Sequence, residues 1–380
     1  MSSAEAAPLP KHHRALVLET IEEGFKVKTV PTPRPDAGSA VVPILEAGVL
    51  SYHREIYSGE RHHDFPKPIV GGLSAIARIA AVGPDAMVLQ PGQLVFMDCV
   101  IRARDHPDSM FLIAIHEGMD AGSRRLGNEV WRDGAFAQYM KLPLKNCIPL
   151  GETRLCRELG YNFRELMYLT YLMVPFGGLR DIHLEPGETI VVCPATGGFG
   201  GAGVQVAIAM GARVIAMGRN EKELARLKEH VKKTSPTASI ETVKMTGDRE
   251  TDVAALKAFG TIDAIIDLTP PFACKSTHLK SAISCLRRGG RCSMMGYVED
   301  VIHWNVIALN IALKRETYML ERGLFPRGKD LVEPKVFKME QCKEALDAAA
   351  EWTGIGRMVM IEPVVRRCPL VVRRVLKPSQ

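Results

Sequence analysis

The alternation of apolar and polar residues changes character near residue 155. Before that point, short apolar runs such as RALVLETI, SAVVPILEAGV and SAIARIAAVG are separated by glycine and proline. Short strands bounded by turn residues are typical of barrel-like β domains. We therefore predict a β-rich domain over residues 1–155, with residues 1–12 as a flexible lead-in. The irregular segment RARDHPDSMFLIAIHEGMDAGSRRLGNEVWRDG predicts a long loop within it.

After residue 155, longer apolar segments alternate with helical patterns. The runs TIVVCPA, ARVIAMG and IDAIIDLTP are continuously apolar, and the segments GAGVQVAIAMG and NEKELARLKEHVKK between them have helical spacing. Buried strands alternating with helices predict a doubly wound parallel sheet, here over residues 156–315. A strand, an amphipathic helix and a final strand then return to the first domain over residues 316–363. The fold class is therefore α/β with a β-rich second domain.

Charge and cysteine usage restrict the class of protein. The net charge of +6 is concentrated in the basic tail 364–380, which holds five Arg and Lys residues and no acid, so the body predicts no nucleic-acid surface. Nine scattered cysteines without a C-x-x-C motif are typical of a reducing compartment. No apolar run is long enough to cross a bilayer, and the start lacks a secretory pattern. We expect a cytoplasmic protein that contacts no membrane.

The stretch PATGGFGGAG lies between a predicted strand and a predicted helix. It fits the G-x-G-x-x-G fingerprint of dinucleotide sites, with alanine in place of the first glycine. Glycine allows the backbone to approach a pyrophosphate, and the helix N-terminus supplies amide donors. We expect the pyrophosphate of a nicotinamide cofactor to lie against Ala195, Thr196, Gly197, Gly198, Phe199 and Gly200.

The tip of the next strand selects between the two nicotinamide cofactors. NAD sites place Asp or Glu there to bind the ribose hydroxyls, whereas this strand ends in Gly218, Arg219 and Asn220, with Lys222 shortly after. A guanidinium and an ammonium without an acid at the tip suit a 2′-phosphate. The predicted cofactor is therefore NADP(H).

These segments together resemble the medium-chain dehydrogenase/reductase superfamily, which includes alcohol dehydrogenases and quinone oxidoreductases. The resemblance covers about residues 14–363 and is carried by EAGVLSYHRE, PIVGG, VGPDAMVLQPGQLV, DGAFAQYMKLP and the long segment around the glycine-rich turn. It implies a GroES-like domain followed by a Rossmann domain, a small-molecule substrate and a homodimer. It also implies that Thr269, Gly296 and Tyr297 approach the nicotinamide, although Tyr297 could instead pack at the domain hinge.

The resemblance breaks down at the positions that bind catalytic zinc in many members of this superfamily. Leu50 stands at the cysteine position, Gly72 at the histidine position and Leu73 at the glutamate position. These residues offer no thiolate or imidazole to a metal. We therefore predict no metal, a roomier cleft at Gly72 and a zinc-lacking protein similar to quinone and enone reductases.

Without a Lewis acid, hydrogen-bond donors must stabilise the oxyanion that forms during hydride transfer. The resemblance places Tyr52 where a proton-relay hydroxyl usually stands, with His53 beside it as a proton source near neutral pH. Alternatively, Tyr52 is a pocket wall and His53 pairs with Glu55 or Asp98. The favoured reaction is NADPH-dependent reduction of an enone-type C=C in a small, fairly apolar carbonyl compound. Reduction of a ketone or aldehyde, a non-redox isomerase or cyclase, and a nucleotide-binding non-enzyme remain alternatives.

Overall fold

The computed structural model describes residues 8–106, 108–296 and 319–363. The predicted cofactor contact Tyr297 and the basic tail 364–380 lie outside these ranges. Among the described residues, no helix combines the length and the apolar character that a bilayer crossing requires.

The first part of the chain folds into antiparallel sheets, as its sequence pattern predicts. Strands β1, β2 and β4 form a three-stranded sheet, β8 and β9 form a hairpin, and the others pair around the long central strand β3. The strands are β1 (His12–Leu18), β2 (Phe25–Pro31), β3 (Ser39–Val49), β4 (Ile69–Val70), β5 (Ala75–Arg78), β6 (Ala81–Val82), β7 (Leu94–Met97), β8 (Val100–Arg102), β9 (Met110–Leu112), β10 (Tyr139–Pro143) and β11 (Cys147–Pro149).

Four α-helices accompany and follow these strands. They are α1 (His53–Tyr57), α2 (Ala121–Glu129), α3 (Phe163–Leu166) and α4 (Leu169–Asp181). Helix α2 lies within the segment predicted to be irregular. It begins at Asp120, whose carboxylate accepts hydrogen bonds from the backbone N–H of Gly122 at 2.8 Å and of Ser123 at 3.0 Å. Capping of the first turn by an acidic side chain stabilises a helix that has little apolar periodicity.

The middle of the chain forms a parallel five-stranded sheet in the order β14-β13-β12-β15-β16. Its elements are β12 (Thr189–Cys193), α5 (Gly198–Ala209), β13 (Arg213–Gly218), α6 (Glu221–Thr234), β14 (Ile240–Lys244), α7 (Arg249–Lys257), β15 (Ile262–Asp267), α8 (His278–Ile283) and β16 (Leu286–Met294). The strand order reverses beside β12, so the carboxyl ends of β12 and β15 border a crevice. In such sheets this crevice is where ligands bind.

The last described segment returns to the β-rich domain. It contains β17 (Glu333–Lys338), α9 (Cys342–Glu351) and β18 (Arg357–Glu362), the strand, helix and strand that the sequence predicts. Strand β18 pairs antiparallel with β3, with Val359 opposite Val49 and Ile361 opposite Ala47. The central strand of the first domain is therefore completed by residues from the end of the chain.

The return segment also touches the glycine-rich turn. A Cβ on Gly201, in the first turn of α5, would lie 2.7 Å from the Cα of Ile355. Arg226 on α6 donates to the carbonyl of Ile355 at 3.3 Å, and Arg357 pairs with Glu223 at 3.4 Å. Only glycine at position 201 permits this approach. The glycine-rich turn and the return segment are thus packed directly against each other.

Candidate active site and nucleotide-binding turn

The glycine-rich turn connects β12 to α5 in a tight bend. A Cβ on Gly200 would lie 2.0 Å from the carbonyl oxygen of Pro194, so this position requires glycine. A Cβ on Gly197, the N-cap of α5, would meet no atom within 4 Å. The start of a twelve-residue helix therefore faces open space at the carboxyl edge of the sheet. This arrangement can accept a pyrophosphate on backbone amides, so the cofactor contacts expected here remain structurally reasonable.

Phe199 links this turn to the first domain. Its ring is nearly parallel to that of Tyr52, with centroids 6.4 Å apart and an interplanar angle of 13°. On its other side it packs against Tyr171 of α4 at 4.9 Å. The sequence motif indicated only a backbone role for this residue. Its side chain instead joins the two predicted candidates, the nucleotide turn and Tyr52.

Tyr52 stands immediately before α1, between the two domains, and is partly buried. Burial raises the pKa of its phenol above the usual value, so the hydroxyl stays protonated at neutral pH. The Tyr52 hydroxyl has no hydrogen-bond partner within the described ranges, so it is available to a bound molecule. The guanidinium of Arg61 lies 5.3 Å from the centre of the ring.

His53 is fully buried beneath Tyr52. Its Nδ1 accepts a hydrogen bond from the backbone N–H of Leu50 at 3.3 Å, and its Nε2 has no partner among the described residues. The imidazole pairs with neither of the acids considered for it, Glu55 and Asp98. Burial lowers the pKa of His53 to about 3. An apolar site disfavours the charged ring, so this shift opposes the expected role of His53 as a proton source near neutral pH.

Gly72 is enclosed by aromatic side chains. Its backbone has φ +92°, and its N–H donates to the Tyr57 hydroxyl at 3.0 Å. A Cβ on Gly72 would lie 2.5 Å from Cδ1 of Phe136 and 2.8 Å from the backbone nitrogen of Phe136. The Phe136 ring, which is fully buried, also lies 6.0 Å from that of His53. The predicted roomier cleft is wrong at this point, because Phe136 fills the space beside the glycine.

The tip of β13 presents basic side chains. Arg219 and Lys222 are exposed, whereas the Asn220 carboxamide caps α6 by accepting from the N–H of Lys222 at 3.0 Å. Asn220 therefore already has a structural role. Strand register adds Lys244, which lies opposite Gly218 and pairs with Glu221 at 3.0 Å. The sequence motif did not indicate Lys244, because its position depends on the pairing of β13 with β14.

A buried polar network lies at the carboxyl ends of β12 and β15. Thr269 donates its hydroxyl hydrogen to Asp267 and accepts from Nε2 of His278 at 2.7 Å. Cys193 is adjacent, and its thiol together with Asp267 and His278 is the one group of three potential metal ligands within the described ranges. A Cβ on Gly296 would lie 2.3 Å from the Asp267 carboxylate. Thr269 and Gly296 thus lie next to each other at the edge of the sheet. Both residues could therefore contact the same nicotinamide, as expected from the resemblance.

Two domain families match the chain in the order of its two folding units. The alcohol dehydrogenase GroES-like domain matches residues 36–152, and the zinc-binding dehydrogenase domain matches residues 198–325. The chain belongs to the medium-chain dehydrogenase/reductase superfamily. The α/β fold, with its GroES-like and Rossmann domains, confirms the predicted fold class.

Curated members of the superfamily resemble this chain at low identity. Acryloyl-coenzyme A reductase from Metallosphaera sedula is 28% identical over 55% of this chain and 60% of its own length. Alcohol dehydrogenase 1 from Caenorhabditis elegans is 25% identical over 57% and 59%. The chain therefore spans about three fifths of these two relatives. Sorbitol dehydrogenase from Bacillus subtilis is 23% identical over 93% of this chain and 98% of its own length.

Solved structures share the fold. Alcohol dehydrogenase TADH from Thermus sp. ATN1 has a TM-score of 0.72 at 18% identity, covering 92% of this chain and 100% of the other. A Sinorhizobium meliloti 1021 protein bound to NADP has a TM-score of 0.68 at 17% identity, covering 93% and 100%. At these identities the likeness concerns the fold alone.

The catalytic zinc of this superfamily does not fit the residues found here. The Leu50 side chain is apolar and buried, and a side chain at Gly72 would overlap Phe136. Zinc sites need sulfur, nitrogen or carboxylate ligands at about 2.0–2.3 Å. Neither position supplies one, so no catalytic step at this cleft is assigned to a metal.

Proposed function

We propose that the protein is an NADP(H)-dependent oxidoreductase that works without catalytic zinc and reduces the conjugated double bond of a small enone. Its two domains are those of superfamily dehydrogenases. When bound, the reduced cofactor supplies a hydride. The single observation that carries the proposal is the Phe199–Tyr52 stack, because it places a protonated phenol beside the nucleotide turn at a cleft without zinc ligands.

The preference for NADP(H) rests on charge at the tip of β13. Arg219 and Lys222 are exposed and within the described ranges have no acidic partner. A guanidinium can donate two parallel hydrogen bonds to a phosphate. The ribose of NAD carries no 2′-phosphate to accept them. The fold relative from Sinorhizobium meliloti binds NADP. We infer that the 2′-phosphate lies between Arg219 and Lys222.

Tyr52 has the properties of an oxyanion stabiliser. Its pKa is raised by burial, so it donates a hydrogen bond rather than carrying a negative charge. His53 supports the ring edgewise, with centroids 5.5 Å apart, and is itself neutral. One donor can stabilise the delocalised charge that forms when hydride reaches a conjugated double bond. An isolated ketone concentrates that charge on one oxygen and so needs more stabilisation.

The relatives support two substrate types. The match to an acryloyl-coenzyme A reductase favours a conjugated double bond. The longer match, to sorbitol dehydrogenase, favours interconversion of an alcohol and a carbonyl compound, which is the second candidate. A homodimer, expected from the resemblance, also remains part of the proposal, and light scattering of the purified protein tests it.

The decisive experiment follows oxidation of NADPH with matched pairs of an enone and its saturated ketone. We expect turnover with the enone, much slower turnover with the ketone, and no loss of activity after dialysis against a strong zinc chelator. NADH serves as the matched cofactor control. If NADPH binds but no acceptor is reduced, the reductase proposal fails. If activity disappears on chelation and returns with zinc, the zinc-free proposal fails.

A further inference from the structure

A positive charge lies beside the aromatic pair that Tyr52 forms with Phe199 of the glycine-rich turn. Arg61 belongs to the segment between α1 and β4, and its guanidinium lies over the Tyr52 ring at 5.3 Å. The same ring also stacks on Phe199, which belongs to the glycine-rich turn. The Tyr52 ring therefore contacts both the Arg61 guanidinium and the turn that is predicted to bind the cofactor.

This charge has no acidic partner in the part of the chain that the structure describes. Two other arginines of the first domain are paired: Arg54 lies 3.6 Å from Asp347, and Arg78 binds Glu152 at 2.8 Å. Asp64, an acid of the same segment, faces His62 instead, at 3.8 Å. Arg61 is nevertheless only partly exposed. A partly desolvated cation held over an aromatic face attracts anions more strongly than a fully solvated one.

We propose that Arg61 binds an oxyanion carried by the substrate, while the reducible double bond lies along Tyr52 toward Phe199. This inference rests on the proposed reductase function and narrows its substrates to anionic ones. The guanidinium fork matches a carboxylate or phosphate with two hydrogen bonds. The contact with the Tyr52 ring restrains the guanidinium, so it loses less freedom when an anion binds. The oxyanion is either the carboxylate of a short oxo-enoic acid or a phosphate of a coenzyme A thioester.

The test compares acceptors that differ only in charge. One pair is a 4-oxo-2-enoic acid and its methyl ester, and the other is acryloyl-coenzyme A and the neutral N-acetylcysteamine thioester. The variants are Arg61→Met, which keeps an apolar stem, and Arg61→Lys, which keeps a charge. Arg54→Met is the matched control, because Arg54 lies on α1 and pairs with Asp347. Thermal unfolding verifies that each variant is folded.

We expect Arg61→Met to raise KM for the charged member of one pair at least about tenfold, as loss of a charged hydrogen bond predicts. KM for the neutral member, and all values for Arg54→Met, stay within about twofold. Arg61→Lys restores part of the loss. An effect confined to the oxo-enoic acid and its ester identifies a carboxylate as the bound group. An effect confined to the two thioesters identifies a phosphate of coenzyme A. Equal changes for charged and neutral acceptors, or no change at all, overturn the proposal.

Binding separates this inference from the reductase proposal. If the wild-type protein reduces no acceptor, the proposed function fails. Calorimetry then measures whether the NADP-loaded protein binds the saturated keto acid or free coenzyme A, which tests the anion site at Arg61 without any turnover. Binding of either that Arg61→Met abolishes supports an anion site at Arg61. Equal binding by the wild type and the variant, or none by the wild type, overturns it.

Discussion

Phe136 occupies the space into which a side chain at Gly72 would extend. Backbone hydrogen bonds join the two segments that carry these residues: the N–H of Ala135 donates to the carbonyl of Gly72, and the N–H of Phe136 donates to the carbonyl of Gly71, each at 2.8 Å. The ring is therefore held in place by the same segment that approaches the glycine. Phe136 and Gly72 form one packed unit at the position where the sequence resemblance predicts a zinc ligand.

Gly72→Ala should destabilise the protein more than substitution of a glycine with the same backbone conformation. The added Cβ meets both the ring and the backbone of Phe136, which adds roughly 1–3 kcal/mol to the left-handed strain of about 1–2 kcal/mol. Gly92→Ala is the matched control, because Gly92 has φ +91° and open space around it. Urea unfolding measures both changes. Equal losses of unfolding free energy in the two variants would show that Phe136 moves aside without destabilising the protein.

Arg219→Asp should shift cofactor preference from NADPH toward NADH. The substitution removes the proposed phosphate ligand and adds a like charge, so we expect KM for NADPH to rise at least about tenfold while KM for NADH changes little. Arg213→Asp makes the same charge change at the opposite end of β13 and should leave both values unaltered. Unchanged selectivity in Arg219→Asp would contradict the assignment of the 2′-phosphate.

Tyr52→Phe should lower kcat about 10- to 100-fold without weakening NADPH binding, because the ring still stacks on Phe199 and only the hydroxyl is lost. Stopped-flow hydride transfer and fluorescence titration measure the two quantities. Tyr57→Phe is the contrasting variant, because the Tyr57 hydroxyl bonds the backbone of Gly72 and Ala114. It should reduce stability by about 1–2 kcal/mol and leave kcat nearly intact. Full activity in Tyr52→Phe would exclude a role for its hydroxyl.

Stability should fall as the solution is acidified from pH 6 to pH 4. His53 has a folded-state pKa of about 3, below its unfolded value of about 6.5, so the unfolded chain binds more protons in this range. Its contribution is present above pH 6.5 and is lost toward pH 3, with a slope of about 1.4 kcal/mol per pH unit. His53→Gln should reduce this slope, measured by urea unfolding at several pH values.

The exposed His62 provides the control, because its side chain is 94% exposed. His62→Gln should retain the wild-type slope. Buried His13 and half-buried His63, whose pKa values are lowered to about 4, add to the slope in both variants. An identical slope in the wild type and in His53→Gln would contradict the burial-driven shift.

Local patterns were sufficient to predict most of the Rossmann elements and the turn at Gly200, because strand apolarity and helix spacing are properties of neighbouring residues. Strand β14, whose sequence is IETVK, and helix α7 escaped prediction because charged residues interrupt their apolar periodicity. Helix α2 depends on its Asp120 cap rather than on an apolar face. In each case a specific hydrogen bond or sheet partner compensates for a weak local signal.

The packed site could not be predicted in the same way. Phe136 follows Gly72 by more than sixty positions and is brought to it by backbone hydrogen bonds between two distant segments, so no local pattern relates the two. The charge state of His53 depends on burial from several elements at once. Similarly, the position of Arg61 over Tyr52 and the approach of Phe199 from the second domain require the tertiary fold. The sequence therefore identified Tyr52 and His53 as candidates, whereas their protonation and their neighbours depend on tertiary contacts.

The pairing of β3 with β18 has a consequence for synthesis on the ribosome. Residues 189–294, which form the parallel sheet, emerge before β18 is made, so this unit can fold while the first domain still lacks a strand. Until β18 emerges, the edge of β3 at residues 47–49 lacks its partner strand in the nascent chain. A ribosome stalled before residue 357 would therefore display an unpaired apolar strand edge, which is the kind of surface that chaperones recognise.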